Sequence, residues 1–201
     1  MPDLTPPEAT PPGPHAPAPE RTTRRLALFT PAPGDLDELF AMYSDPRLAE
    51  ADPLIHHASR DRTEALLARW VAGWRQHGHG IWVLRQLPGT PGTGLVGVGG
   101  CNLPTDVAWN LAFTLRPEAW GRGYAQQVAA AGIERAHALR PELPVTAAVT
   151  GRNVRSHWAV ERAGLAEVWR GPDTHNPEPG ATLVLYSDRP LCEAQVRALV
   201  H

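Results

Sequence analysis

The stretch RPEAWGRGYAQQV, residues 116–128, decides how this chain is understood. It joins the strand-like run WNLAFTL at 109–115 to a helical pattern that continues to about Leu139, and it places Gly121 and Gly123 one residue apart at the junction. Glycine tolerates positive φ without steric cost, which suits a tight turn. A helix N-terminus also presents unpartnered N–H groups and about half a positive charge. The two missing side chains therefore open the backbone to a phosphate-bearing ligand.

The residues before this stretch predict a strand, two helices and then a sheet. Apolar spacing indicates a strand over 26–29, one helix over 36–43, and a second helix that begins after Ser59 as its N-cap. Strand-like runs with turn residues between them follow, which predicts an antiparallel meander. The three runs are 80–86, 95–101 and 107–115.

After the glycine turn, helices alternate with strands. The pattern predicts helices over 122–139 and 153–163, strands over 145–150, 165–169 and 182–187, and a short helix over 191–201. A crossover helix after the third meander strand implies a parallel neighbour for that strand. The fold class is therefore α+β: a mixed, mostly antiparallel sheet of six to seven strands with about four flanking helices and a short extra C-terminal helix.

The chain divides into a tail, one domain and a short extension. Residues 1–19 hold eight prolines and almost no large apolar side chains, so they cannot bury enough surface to offset the entropy of ordering. We predict a disordered, proline-rich tail over 1–23, a single domain over 24–188, and a helical extension over 189–201. The 201-residue chain is long enough to bury a core of its own.

Charge and composition limit the partners of this protein. The formal net charge of −2 gives no broad basic field, so we expect neither nucleic acid nor a membrane surface as a partner. No run approaches the roughly 20 apolar residues of a membrane span. Cys101 and Cys192 lie far apart and cannot form a disulfide framework, which favours a cytoplasmic location.

Several classes of enzyme cannot be built from this composition. All nineteen basic residues are arginine, and without lysine there is no P-loop, no pyridoxal Schiff base and no kinase strand lysine. His77 and His79 have no third and fourth ligand nearby, so we expect no metal. A dinucleotide fingerprint would require glycine where the chain has Gln126.

The glycine turn has a second motif about 30 residues downstream, TGRNVRSHWAVERAGL at 150–165. Together, strand–PxxWGRGYA–helix and this second motif resemble the GNAT superfamily of N-acetyltransferases, over about residues 24–187. The pattern is most similar to the ribosomal-protein-alanine acetyltransferase-like branch, also called RimJ/RimL-like.

The resemblance implies acetyl-CoA as co-substrate, with no metal. The pyrophosphate would rest on the amides of the glycine turn, and the pantetheine arm would pair with the preceding strand like an extra strand. The implied cofactor-binding residues are Phe113, Thr114, Leu115, Trp120, Gly121, Arg122, Gly123, Tyr124, Ala125, Asn153 and Ser156. Asn153 has a second explanation as the N-cap of its own helix, and the two roles are compatible.

The catalytic groups are hypotheses from the same resemblance. Ser156 would lie near the departing sulfur, where its hydroxyl could protonate the thiolate. Asn110 stands where many relatives carry a glutamate, which leaves open which residue, if any, acts as the base. His56 and His57, in the loop that would cover the acceptor side, are the candidates. Asp106 and Glu118 are weaker ones.

The implied reaction is direct attack of a neutral amine on the thioester in a ternary complex. The acceptor is a small-molecule amine or a protein N-terminus, which the sequence does not distinguish, and it leaves a homodimer open. The alternative from another class is a catalytically silent acyl-CoA-binding or interaction module that uses the same cleft.

Overall fold

The computed structural model describes residues 18–87 and 94–200 of the chain. Most of the predicted proline-rich tail and most of the predicted turn at 88–94 therefore lie outside the described residues. Structure begins earlier than predicted, because Arg21–Thr22 forms a short strand within the segment assigned to the tail. Thr23 Oγ1 and the backbone N–H of Arg25 both donate to the side chain of Gln127, which holds this segment to the domain.

The described residues form eight strands, one or two more than the six to seven predicted. Their bounds are β1 Arg21–Thr22, β2 Leu26–Phe29, β3 Trp82–Gln86, β4 Leu95–Asn102, β5 Trp109–Leu115, β6 Val145–Thr150, β7 Ala166–Pro172 and β8 Thr182–Ser187. They form a single mixed sheet in the order β1-β2-β3-β4-β5-β6-β8-β7. The predicted α+β class and mostly antiparallel sheet are confirmed.

Six α-helices accompany the sheet within the described ranges. They are α1 Leu36–Tyr43, α2 Pro46–Ala51, α3 Arg60–His77, α4 Tyr124–Leu139, α5 Val154–Arg162 and α6 Glu193–Val200. The sequence analysis missed α2. Its start signal was present, since Asp45 accepts from the N–H of Arg47 as N-cap and Pro46 occupies the first helical position.

Helices pack on both faces of the sheet. Leu39 of α1 and Leu67 of α3 join Val83 and Val98 in one cluster, whereas Val128 of α4 joins the alternate face with Leu84. The stripe of small residues predicted on α4 allows close approach: a Cβ on Gly132 would lie 3.2 Å from the backbone of Gly100 and Cys101. Thus α4 lies directly against β4.

The sheet opens in its middle, between β5 and β6. These parallel neighbours pair only at Trp109 with Val145 and at Asn110 with Thr146, although both strands continue for several more residues. Beyond that point β5 is paired on one side only, by β4 as far as Leu115. The gap leaves one edge of a central strand uncovered.

Candidate active site

A cavity lies where β5 and β6 part, next to the glycine turn. It has a volume of about 570 Å³. We call it the cofactor cleft. All eleven residues that the sequence analysis proposed for cofactor binding line it: Phe113, Thr114, Leu115, Trp120, Gly121, Arg122, Gly123, Tyr124, Ala125, Asn153 and Ser156.

The glycine turn needs its glycines for the backbone conformation and leaves room above it. Gly121 has φ of 71° and Gly123 has φ of 73°, both in the left-handed region. A Cβ at Gly121 would meet no atom within 4 Å, and one at Gly123 would meet only the Arg25 guanidinium, at 3.4 Å. The space next to these two backbones is therefore cleft, not protein.

The amides of the turn are available to a ligand. Gly123 caps α4, and among the described residues no hydrogen bond takes the N–H of Gly121, Arg122 or Gly123 as donor. The Arg25 guanidinium donates to the carbonyl of Arg122 and lies over the Tyr124 ring, 4.6 Å from its centroid. These contacts hold the turn in place, and the helix N-terminus favours an anion next to it.

Arginines supply positive charge around the same cleft. Arg122, Arg155 and Arg162 are among its lining residues, and no aspartate or glutamate of the described chain lines it. Arg155 lies over the Trp120 ring at 4.2 Å, and the Trp120 indole N–H donates to the carbonyl of Leu115 at 2.9 Å. The cleft therefore suits a negatively charged ligand.

The second motif places α5 along the other wall of the cleft. Asn153 is the N-cap, and its side-chain oxygen accepts from the N–H of Ser156 at 3.2 Å. The structure thus confirms the capping role predicted for Asn153. Trp158 was not singled out by the sequence analysis, yet its side chain is 68% exposed and lines the cleft. The pairing of exposed Val154 with Trp158 at helical spacing was the signal that could have found it.

A second, smaller cavity adjoins the first. It has a volume of about 240 Å³ and shares Ile55 and Thr114 with the cofactor cleft. We call it the acceptor cavity. Its other lining residues are Tyr43, Leu54, His57, Arg62, Leu66 and Arg69. Of the residues that line this cavity, the sequence analysis singled out only Thr114 and His57 as site residues. The others belong to no recognisable sequence motif.

The two histidines proposed as bases have different surroundings. His57 is buried, stacks on Tyr43 with ring centroids 4.3 Å apart, and pairs through Nδ1 with Thr63 Oγ1 at 2.8 Å. Burial, with the nearby charge of Arg62, lowers the pKa of His57 to about 4. His56 lines neither cavity, and its Nε2 lies 3.3 Å from the carbonyl oxygen of Ser44.

The remaining acid and thiol candidates lie elsewhere. Glu118 pairs with Arg47, and Asp106 lies 3.7 Å from Arg140, with 92% of its side chain exposed. Burial raises the pKa of the Cys101 thiol well above its usual range. No three histidine, cysteine or acidic side chains of the described ranges come together as a metal site, and no described helix is long and apolar enough to cross a membrane.

Comparison with known proteins identifies the family. The model of the Acetyltransferase (GNAT) domain matches residues 25–166. Solved structures share the fold, among them the microcin C7 self-immunity acetyltransferase MccE in complex with acetyl-CoA and AMP, with a TM-score of 0.68 and 11% identity over 88% of this chain and 98% of that one.

Two further solved structures show the range of similar proteins. The ribosomal L7/L12 α-N-protein acetyltransferase RimL superposes with a TM-score of 0.65 at 14% identity, covering 84% of this chain and 92% of that one. The spermidine N-acetyltransferase of Vibrio cholerae, in complex with CoA and spermine, gives 0.62 at 14% identity, with 82% and 95% covered. Identities this low establish the shared fold alone.

Proposed function

Because the chain belongs to the GNAT family of acetyltransferases, we propose that it is an acetyl-CoA-dependent N-acetyltransferase that acts by direct attack of a primary amine. The observation that carries the proposal is the parting of β5 from β6 beside the glycine turn. This gap offers an uncovered strand edge and a set of free amides in one cleft. An extended arm that ends in a diphosphate needs both features.

The residues of the cofactor cleft fit acetyl-CoA. The amides of Gly121 to Gly123, at the start of α4, would hold the pyrophosphate, and Arg155 and Arg162 add positive charge nearby. The uncovered backbone of Phe113 to Leu115 would pair with the pantetheine arm.

The thioester supplies an activated acetyl group, and the protein positions the amine. A bond forms between the amine nitrogen and the carbonyl carbon, the carbon–sulfur bond breaks, and the amine loses one proton while the thiolate gains one. A main-chain N–H of β5 would stabilise the oxyanion, and the Ser156 hydroxyl would donate to the departing sulfur. No covalent intermediate on the protein is needed.

Among the residues that the structure describes, the site has no strong general base, which favours an acceptor amine of low pKa. Asn110 donates to Asn102, and His57, with a pKa of about 4, is a poor proton acceptor at neutral pH. Releasing the proton of a lysine-type amine at pH 7 costs about 4.6 kcal/mol, whereas an α-amine costs about 1.4 kcal/mol. We therefore favour an α-amine, either on a small molecule or at a protein N-terminus as the RimL comparison suggests.

The location and the oligomeric state of the protein are also proposals. Cys101 and Cys192 are both unpaired, which suits a reducing cytoplasm. A homodimer stays a prediction, which sedimentation would test. The silent acyl-CoA-binding module stays the alternative, and the weak base is the observation that favours it.

The test combines acetyl-CoA binding with thiol release across a panel of amines. The wild type should bind acetyl-CoA and release free thiol only when an acceptor amine is present. Gly123→Val should lower acetyl-CoA affinity by about a thousandfold, because two or more charge-assisted hydrogen bonds of about 1.5–3 kcal/mol each are lost. Ser156→Ala should lower turnover and leave binding unchanged.

Gly78→Val is a matched control for the backbone strain. Gly78 has φ of 68° and ψ of 17°, almost the values of 73° and 17° at Gly123, and a Cβ there would meet no atom within 4 Å. Both variants carry the same strain, but only Gly123 borders the cleft. Equal loss of acetyl-CoA binding in both would remove the proposed cradle, and binding without thiol release would favour the silent module.

A further inference from the structure

The acceptor cavity has an unusual set of charges for a pocket that would receive an amine. Of its eight lining residues, Arg62 and Arg69 are cationic, and none is an aspartate or a glutamate. His57 is neutral near pH 7 because its pKa is lowered to about 4. The field inside the cavity is therefore positive, and it disfavours a second positive charge on the acceptor.

Both arginines lie on one face of α3. They are seven residues apart, about two turns and roughly 10 Å along the axis, with Leu66 between them on the same face. Glu64 lies on the opposite side of the helix from Arg62 by the same spacing. The two guanidinium groups can therefore converge on one ligand.

Neither arginine is neutralised by a described acidic residue. Arg62 donates to the carbonyls of His56 at 3.0 Å and Leu54 at 2.7 Å, which holds the loop but leaves its charge uncompensated. Arg69 makes no hydrogen bond or ion pair with another described residue. By contrast, Arg60 on the same helix pairs with Asp37, and Arg85 pairs with Asp35 and Glu38.

Asp52, a buried aspartate, lies two residues before Leu54 in the chain and is hydrogen bonded within the fold. Asp52 accepts from Thr150 Oγ1 at 3.0 Å and from the N–H of Leu54 at 3.0 Å, and it lines neither cavity. Because its carboxylate does not line the acceptor cavity, we do not expect it to contact an amine held there. Arg62 and Arg69 are therefore the charged side chains that line this cavity, and neither has an acidic partner among the described residues.

Resting on the proposed function, we propose that the acceptor is an amine that also carries an anionic group, a carboxylate or a phosphate, held by Arg69 and Arg62. The reacting amine lies toward Thr114, where the acceptor cavity meets the cofactor cleft. The anionic end lies toward α3. Arginine binds carboxylate and phosphate through a planar fork of donors, so one geometry serves either anion.

Paired acceptors test the charge and keep the amine the same. Aspartate α-amide and asparagine α-amide differ only in the side-chain carboxylate, and phosphoserine amide and serine amide provide the phosphate pair. Diaminobutyramide is the cationic probe. In each anionic pair, the charged member should have the higher kcat/KM by about tenfold or more, through KM. The pair with the larger ratio identifies which anion the cavity accepts.

Arg69→Gln is the informative variant because Arg69 holds no described part of the fold together. It should bring the charged-to-neutral ratio close to one, by lowering kcat/KM for the charged member. Arg75→Gln, an exposed position on the same helix that lines neither cavity, is the matched control and should keep the ratio. Arg62→Gln would also release the loop, so it is expected to lower activity toward every acceptor.

The outcomes separate this inference from the function on which it rests. Thiol release with equal or better use of the neutral and cationic probes overturns the anionic acceptor while the acetyltransferase stands. No thiol release with any amine overturns the proposed function. In that case, the anion site is tested by calorimetry, which measures binding of the same amides to wild type and to Arg69→Gln with CoA present. The site is supported if wild type prefers the charged member of a pair and Arg69→Gln abolishes this preference. Equal binding of both members to wild type overturns the site.

Discussion

The cofactor cleft and the acceptor cavity meet at Ile55 and Thr114, yet they are built by different means. The cleft is lined by the main-chain amides of a glycine turn and the uncovered edge of β5. Its proposed chemistry therefore depends on backbone groups that glycine leaves accessible. The cavity uses side chains from α1, α3 and the loop between them. A ligand site made from backbone leaves a contiguous motif in the sequence, whereas one made from converging side chains leaves none.

The strand that both cavities share provides the largest test of this comparison. A Cβ at Gly97 of β4 would lie 2.3 Å from the carbonyl oxygen of Thr114 and 2.8 Å from Cα of Leu115. Gly97→Ala must therefore push β5 away from β4. We expect a loss of about 3 kcal/mol or more in the free energy of unfolding, measured by urea denaturation, and weaker binding in both cavities.

Gly73→Ala is the control for the alanine itself. Gly73 lies within α3, and a Cβ there would meet no atom within 4 Å. The free energy of unfolding of this variant should rise by up to about 1 kcal/mol, because alanine loses less backbone entropy than glycine when it enters a helix. If Gly97→Ala bound acetyl-CoA like the wild type, the position of Thr114 would not be shared between the two regions as described.

His57, on the acceptor side, should make the stability of the protein sensitive to mild acid. Its folded pKa of about 4 lies below the ordinary value of 6.5, so the unfolded chain takes up a proton first as the pH falls. Above pH 6.5 there is no effect, and stability is lost between pH 6.5 and 4. For this residue alone, the loss between pH 7 and pH 5 is about 2 kcal/mol.

His57→Phe should flatten that part of the pH profile. Phenylalanine keeps a ring against Tyr43 and has no group that titrates. Because Thr63 loses its hydrogen-bond partner, the free energy of unfolding of the variant at pH 7 should be lower by about 1–2 kcal/mol. The measurement is the urea midpoint at pH 7 and pH 5 in both proteins. An unchanged pH dependence in the variant would mean that His57 is not buried as a neutral ring.

The sequence predicted the antiparallel meander, the parallel neighbour of its third strand and the residues that line the cofactor cleft, for a physical reason. Glycines at 121 and 123, the cap at Asn153 and the alternation along β5 are local features, and each specifies its own backbone geometry. The parting of β5 and β6 could not be predicted in the same way. It depends on how far two strands stay paired, which is a property of the whole sheet.

The acceptor cavity was largely beyond sequence reasoning. His57 was proposed as a base because it is a histidine in a loop, but only the structure shows the Tyr43 ring and the Thr63 hydroxyl that hold it neutral. Arg62 and Arg69 look like ordinary surface residues of a helix until Thr114 is brought opposite them. Their role in the cavity depends on contacts between residues that are far apart in the sequence, which sequence spacing does not predict.

The smallest predicted effect separates the two roles of Asn153 on the cleft side. Asn153→Ala removes the cap that accepts from the N–H of Ser156, and should cost about 1 kcal/mol of unfolding free energy. Asn153→Ser keeps a capping oxygen but loses the carboxamide that would reach the pantetheine arm. If Asn153 only caps α5, serine restores both stability and acetyl-CoA affinity. If it also contacts the ligand, as its place in the lining of the cleft favours, serine restores stability and leaves the affinity a few-fold low. One pair of variants thus shows whether this wall of the cleft binds the ligand directly.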